Sequence, residues 1–179
     1  MISRRQLIVT GLLPFIPRIG LAQPTPACGK PSPAQTPGPF YKPSSPLRTS
    51  LLEKDAKAPK LIVAGRVLSR DCRPVANAIL DFWHADEFGE YDNTGFRYRG
   101  HLFTDGEGRY RLETIVPAEY PGRARHIHVK VGPRGGRLLT TQLYFPSSFG
   151  HHQDGLYTPA LEMKMAKRDE GLFDFVIDA

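Results

Sequence analysis

The chain has 179 residues, 17 glycines, 17 prolines and a formal net charge of +6. This length allows one domain with a proper hydrophobic core and little else, and the many turn-forming residues favour β structure over helices. The lysines and arginines form no run or stripe, which argues against nucleic acid as a partner.

Residues 1–22 have the layout of a cleaved secretory signal, with a basic start, an apolar middle and a small-residue exit. Arg4 and Arg5 resemble the pair of a twin-arginine signal, and a plain Sec signal fits the same residues. Pro14 and Pro17 interrupt the apolar run, so a permanent membrane span is not expected. Cleavage removes three arginines and lowers the charge from +6 to +3. We therefore expect an exported, periplasmic protein.

Residues 23–59 are rich in Pro, Ser and Thr and are predicted to form an extended N-terminal arm rather than a core element. Residues 60–179 are predicted to form the single folded domain. The exported chain keeps two cysteines, Cys28 and Cys72, and has no CxxC motif. In an oxidising compartment this pair can form one disulfide between arm and domain, and two buried free thiols are the alternative.

The predicted domain consists of about seven short strand-like segments that are separated by turn signals. These segments are residues 61–68, 78–85, 101–104, 110–114, the stretch around 126–129, 138–145 and 172–177. The sequence DGEG at 105–108 is a hairpin turn signal, and a helix is weakly indicated around 158–167. The pattern predicts an all-β fold, an antiparallel, prealbumin-like β-sandwich with long loops.

One predicted strand contains two histidines, His126 and His128, separated by a single isoleucine. Successive side chains of a strand point to opposite faces, so the two histidines share one face while Ile127 and Val129 share the other. The apolar pair can enter a core, which leaves both imidazoles facing another environment. Taken alone, this motif fits either an ordinary polar strand face or half of a metal site.

Further motifs follow one another from residue 36 to the last predicted strand. They are TPGPFY at 36–41, DFWHA at 81–85 with GEY at 89–91, PAEYP at 117–121, RARHIH at 123–128 and TQLYF at 141–145. In this order they resemble the intradiol ring-cleavage dioxygenases, the family of protocatechuate 3,4-dioxygenase and catechol 1,2-dioxygenase. The chain lacks the long N-terminal helical segment of the catechol 1,2-type enzymes, so it is more similar to the protocatechuate type.

The resemblance implies a non-haem ferric site, Fe(3+), with two tyrosine and two histidine ligands. The matching positions here are Tyr91, Tyr120, His126 and His128. Phenolate is a hard anionic oxygen donor that suits a trivalent ion, and neutral imidazole also serves iron. A free tyrosine has a pKa of about 10, so only a bound metal could keep both phenols ionised near neutral pH.

The resemblance also implies catalytic roles and a reaction. Tyr120 would act as a base, Arg123 would stabilise negative charge that develops on the substrate ring, and Gln142 would lie beside that ring. The implied reaction inserts both atoms of dioxygen into a catechol-type ring and yields a muconate-type diacid. Relatives of the protocatechuate type use two different chains, whereas this chain carries all four expected ligands. A homo-oligomer is therefore one expected assembly.

A non-catalytic alternative exists for the same strand pattern. Prealbumin-like sandwich modules show similar strand and turn spacing. They bind other molecules or separate other domains, they catalyse no reaction, and they do not require a histidine pair. Two further histidines, His151 and His152, lie in the late loop. They are predicted to be solvated loop residues and not metal ligands.

Overall fold

The structure is a computed structural model that describes residues 28–146 and 148–179. The predicted export signal at 1–22 lies outside the described residues, and it stays a prediction. Within the described part of the chain, no helix is long and apolar enough to cross a membrane.

Nine strands account for most of the regular structure in the described residues. They are β1 Lys60–Ser69, β2 Ala78–Trp83, β3 Arg99–Phe103, β4 Arg109–Ile115, β5 His126–Pro133, β6 Leu139–Tyr144, β7 Lys164–Lys167, β8 Glu170–Leu172 and β9 Phe175–Ile177. Two 3-10 helices, Phe149–His152 and Pro159–Leu161, lie between β6 and β7.

The strands form two sheets. One has the order β3-β2-β5-β6 and is antiparallel throughout. The other has the order β4-β1-β8-β7, with β9 paired to the end of β1, and here β8 and β9 run parallel to β1. The prediction of an all-β sandwich is confirmed.

The hydrophobic core lies between the two sheets, and both sheets supply alternate residues to it. On β1, Leu61 and Val63 are at most 1% exposed, and on β5, Ile127 and Val129 are completely buried. Burying a large aliphatic side chain contributes about 1.5–3 kcal/mol relative to leaving it exposed. The core therefore determines which face of β5 points inward, and it turns His126 to the opposite face.

Two local predictions are wrong. The turn at 105–108 does not make a hairpin, because it carries the chain from β3 in one sheet to β4 in the other. The predicted helix at 158–167 is replaced by the Pro159–Leu161 turn and strand β7. Burial there alternates with a period of two, since Leu161 and Met163 are buried, and the Met163 amide bonds to the Tyr144 carbonyl at 2.9 Å. Pairing with neighbouring strands overrides the weak helical propensity.

The N-terminal arm is attached to the sandwich at several points. Cys28 and Cys72 form a disulfide, so the disulfide alternative is the one that the structure has. Further along the arm, the backbone amide of Gln35 donates to the Thr140 carbonyl of the edge strand β6 at 2.8 Å. Leu51 is completely buried in the core, so the arm contributes to the core, contrary to the prediction.

Candidate active site and metal centre

Strand pairing brings five polar or aromatic side chains onto one face of the β2-β5-β6 region. His128 lies directly opposite Trp83 of β2 and Gln142 of β6, and His126 lies opposite Tyr144. Residues directly opposite each other on neighbouring strands project from the same face of a sheet. Once the core has oriented Ile127 and Val129 inward, the register therefore places these side chains together.

The two predicted tyrosine ligands lie on separate loops that contact each other. Tyr91 follows β2 and Tyr120 follows β4, and the Ala118 amide of the second loop bonds to the Asp86 carbonyl of the first at 2.9 Å. Gly89 has a φ of +87°, and a Cβ there would lie 3.1 Å from the Glu119 carbonyl oxygen and 3.2 Å from Cβ of Tyr120. Only glycine adopts this backbone conformation readily, so Gly89 permits the close approach of the two loops.

Four potential donor atoms converge beside β5. The phenol oxygens of Tyr91 and Tyr120 each lie 3.4 Å from Nε2 of His126. Nε2 of His126 lies 3.1 Å from Nε2 of His128. The structure thus brings together all four residues that the sequence analysis predicts as ligands.

The protonation states of the two histidines suit metal binding. Nδ1 of His126 lies 2.6 Å from the Ala124 carbonyl oxygen and donates to it, which leaves the Nε2 lone pair directed at the other donors. Burial lowers the pKa of His126 to about 4, and burial together with the neighbouring His126 lowers the pKa of His128 well below its usual range. Both imidazoles are therefore neutral near pH 7. Burial and the adjacent Tyr120 raise the pKa of Tyr91 well above its usual range.

The donor set fits ferric iron. Donors bonded to one ion at about 2.0–2.1 Å stand roughly 3 Å apart, which is close to the separations seen here. Across residues 28–146 and 148–179, no group of three or more His, Cys, Asp or Glu side chains is arranged to hold a metal ion. Two of the four donors are phenol oxygens, and hard anionic oxygen donors favour a trivalent ion.

Arg123 and Gln142 line the site beside Tyr120. Arg123 donates from Nη1 to the Tyr120 phenol oxygen at 3.3 Å and from Nη2 to Oε1 of Gln142 at 2.5 Å. Gln142 is completely buried and donates in turn to the Thr36 carbonyl of the arm at 3.3 Å. Only 17% of the Arg123 side chain is exposed, so it is not an ordinary surface cation.

The arm covers one side of the four donors. Gly38 has a φ of +65°, and a Cβ there would lie 3.7 Å from Cε1 of His128. The ring of Phe40 stacks on Tyr91 with a centroid distance of 4.4 Å. The TPGPFY motif therefore lies at the site, although it is far from β5 in the sequence.

Two charged residues beside the site, Arg99 and Asp154, were missed by the sequence analysis. Arg99 is only 2% exposed and donates to the Asp92 carbonyl at 2.8 Å and to the Phe40 carbonyl at 2.6 Å, so it joins the Tyr91 loop to the arm. Asp154 accepts a hydrogen bond from Nε of Arg123 at 3.1 Å. Neither residue has a motif or a spacing that marks it, because its partners are distant in sequence.

The late-loop histidines differ from each other. His152 is exposed, as predicted. The prediction is wrong for His151, whose ring stacks on Tyr157 at 3.8 Å and whose Nε2 donates to the Phe145 carbonyl at 2.9 Å. His151 is thus a packing residue of the loop.

Comparisons with known proteins show which family this chain resembles. A family model described as "Dioxygenase" matches residues 36–160. The dioxygenase domain of a dioxygenase and carbohydrate-binding protein fusion from Streptomyces sp. SirexAA-E is 49% identical, with a TM-score of 0.80. That match covers 84% of this chain and 99% of the Streptomyces domain.

Two curated relatives are more distant. A chlorocatechol 1,2-dioxygenase from a Pseudomonas species is 29% identical over 79% of this chain and 68% of its own length. A protocatechuate 3,4-dioxygenase beta chain from Burkholderia cepacia is 36% identical over 49% of this chain and 45% of its own length. The chain thus spans about two thirds of the first relative and about half of the second. With the family model covering most of the sequence, the chain belongs to the intradiol ring-cleavage dioxygenase family.

Proposed function

We propose that this protein is a non-haem ferric dioxygenase that opens a catechol-type ring between its two hydroxyl-bearing carbons. The product is a muconate-type diacid that contains both atoms of the dioxygen consumed. Tyr91, Tyr120, His126 and His128 would hold the iron. The observation that carries the proposal is the convergence of two phenol oxygens and two neutral imidazole nitrogens, with adjacent atoms 3.1–3.4 Å apart.

Bound ferric iron would supply the Lewis acidity that lets an electron-rich catechol react directly with dioxygen. The protein's own contribution begins with proton transfer. The Tyr120 phenolate oxygen is the base that takes one proton from a catechol hydroxyl, and it is suited to this role because its side chain is only partly buried. The Phe40 ring stacks on Tyr91, and the Arg99 guanidinium lies 5.9 Å from the centroid of the Tyr91 ring, so Tyr91 is held by contacts with both.

Arg123 supplies the positive charge of the site. Its two Nη groups point to Tyr120 and Gln142, both of which face the donor cluster. A fixed cation in a partly dehydrated cleft stabilises negative charge that develops on the ring during oxygen attack. Gln142 accepts a hydrogen bond from Nη2 of this guanidinium, and the arm covers the site beside His128 and Tyr91.

Purified protein and its metal-free form test the proposal directly. Loading with ferric iron is expected to give about one iron per chain and a red-brown colour from phenolate-to-iron charge transfer. The loaded protein is expected to consume dioxygen and catechol in equal amounts, and the metal-free protein to consume neither. A colourless protein that binds zinc in stoichiometric amount and leaves catechol intact would contradict the proposal.

We further propose that the protein is exported to the periplasm. The Cys28–Cys72 disulfide supports this, because such bonds persist in oxidising compartments. Cell fractionation of the full chain and of an Arg4→Lys, Arg5→Lys variant tests the route. Retention of the variant in the cytoplasm indicates twin-arginine export, and export of both proteins indicates the Sec route. A full-length chain found only in the cytoplasm would contradict the proposal.

A further inference from the structure

Asp154 is a buried carboxylate next to the proposed active site. Its side chain is only 1% exposed, and Oδ2 accepts hydrogen bonds from Nε of Arg123 at 3.1 Å and from the Ala124 amide at 3.0 Å. The other oxygen, Oδ1, accepts from the Leu156 amide at 2.9 Å. A buried carboxylate is costly unless it is paired and hydrogen-bonded, and Asp154 meets both conditions.

The loop that carries Asp154 is held close to the segment that carries Arg123, which lies just before β5. The Asp154 amide bonds to the Gly150 carbonyl at 3.0 Å. A Cβ at Gly150 would lie 2.7 Å from Cα of Ala124 and 2.9 Å from the Arg123 carbonyl oxygen. The close packing of this glycine against Arg123 and Ala124 leaves the carboxylate little freedom to move.

The hydrogen bonds of Arg123 divide its guanidinium into two functional parts. Nε bonds to Asp154, whereas Nη1 and Nη2 bond to Tyr120 and Gln142 on the side of the site. A planar guanidinium held at Nε cannot rotate about its last side-chain bonds without losing that hydrogen bond. The bond to Asp154 therefore determines the direction of both Nη groups.

We propose that Asp154 is a positioning residue that orients the Arg123 guanidinium toward the reacting ring. The inference rests on the proposed function, in which Arg123 stabilises charge on the substrate. Asp154 itself touches neither the ring nor the four donors. Its effect on the reaction passes through the orientation of Arg123.

The isosteric change Asp154→Asn tests this role. Because misplacement of a charged group by about 1 Å can lower a rate a hundredfold, we expect kcat to fall about ten- to a hundredfold, while KM changes less. Asp154→Glu, which keeps the charge, is expected to recover part of the rate. Asp105→Asn is the matched control. Asp105 also accepts two backbone amides, at 2.8 and 2.9 Å, but in the turn between β3 and β4.

A double-mutant cycle separates positioning from a structural role. If Asp154 acts through Arg123, Asp154→Asn should have little further effect on kcat in an Arg123→Ala background. If it costs the same factor in both backgrounds, Asp154 only supports the Ala124 backbone and the loop, and the proposal is overturned.

A measurement on metal-free protein makes the test independent of catalysis. The Nε–H proton of Arg123 is expected to give a slowly exchanging NMR signal in the unmodified protein and to exchange rapidly in Asp154→Asn. Rapid exchange in the unmodified protein overturns the proposal even if the variant does not fold. If the unmodified protein shows slow exchange but does not cleave catechols, the proposed function fails while the orienting bond stands.

Discussion

The site is built from two regions that are held in place in different ways. The sheet floor consists of Trp83, His126, His128 and Gln142, which project from three adjacent strands. The loop wall consists of Tyr91, Tyr120, Arg123 and Asp154, which lie outside the strands. The floor depends on backbone pairing and on the core below it, whereas the wall depends on individual polar side chains and glycines.

This difference predicts how each region responds to substitution. Floor residues can lose their functional groups while the strand stays paired, because ladder hydrogen bonds do not involve side chains. Wall residues are oriented by single contacts, such as the bond from Nε of Arg123 to Asp154, so one change can move several groups. Substitutions in the floor should therefore remove function cleanly, and substitutions in the wall should couple function to local order.

The largest effect is expected in the floor. Replacing His126 and His128 together by alanine should abolish iron binding, colour and oxygen uptake, because half of the proposed ligands are lost. Circular dichroism should still report the β-sandwich, since Ile127 and Val129 keep β5 in the core. A His151→Ala, His152→Ala variant serves as the control and should keep its iron. Iron retained by the first variant would show that the ligands lie elsewhere.

The next effect concerns the charge in the wall. Arg123→Ala should leave iron content and the catechol-induced spectral change largely intact, while kcat falls on the order of a hundredfold. Arg123→Lys should restore only part of the rate, because an ammonium lacks the planar fork. Normal turnover combined with weakened catechol binding would mean that Arg123 only recruits substrate.

A smaller effect is expected where the two tyrosine loops meet. Gly89→Ala places a Cβ at a φ of +87° and 3.1 Å from the Glu119 carbonyl oxygen. The backbone strain alone costs about 1–2 kcal/mol, which urea unfolding can measure, and weaker iron binding should accompany it. Gly106→Ala is the control, because a Cβ at Gly106 meets no other described atom within 4 Å. Equal loss of stability in both variants would show that the loop contact has no special role.

The arm should contribute less. Phe40→Ala removes the stacking on Tyr91, and such aromatic pairs are worth about 0.5–1.5 kcal/mol. Affinity for iron should therefore fall by up to about tenfold, as measured by competition with a chelator. Phe88→Ala, at a phenylalanine that is 74% exposed, is the matched control and should bind iron normally. If Phe40→Ala also binds iron normally, the arm covers the site without ordering Tyr91.

The smallest effect is a pH dependence at His84, the residue that directly follows β2. Its Nδ1 donates to the Ala85 carbonyl at 2.7 Å and its Nε2 accepts from the Thr114 hydroxyl at 2.6 Å, so the neutral ring is fully bonded. Burial lowers the pKa of His84 to about 4 from 6.5, so between these values the unfolded chain binds the extra proton. Stability should therefore fall as pH decreases through this window.

His84→Gln removes this dependence. As the pH falls from 6.5 to 6.0, the unfolding free energy of the unmodified protein should decrease by more than that of the variant, and the extra decrease should be less than about 0.7 kcal/mol. Both proteins are compared with the same metal content. Urea unfolding at several pH values measures this difference. A difference that stays constant with pH would contradict the assignment of a neutral, buried ring.

Much of the floor could be predicted from the sequence. The alternation around His126 indicated both the strand and the shared face of the two histidines, because side-chain direction in a strand has a fixed period of two. The helix predicted at 158–167 failed because pairing at the sheet edge decided the conformation there. The hairpin predicted at 105–108 failed because a turn signal does not specify which sheet the next strand joins.

The sequence by itself determined the strand pattern, the inward face of β5 and, by resemblance, the family and the four expected ligands. Only the tertiary structure decided that Arg99 joins the Tyr91 loop to Phe40, a residue 59 positions before Arg99 in the sequence. The same holds for the bond between Arg123 and Asp154, which are 31 positions apart. Local pattern follows from backbone geometry and the burial of apolar groups, and both can be judged from near neighbours. Long-range polar contacts form only when the sheets have packed and excluded water. Because a buried charge is costly unless it is paired, Arg99 and Asp154 then depend on partners that are distant in sequence.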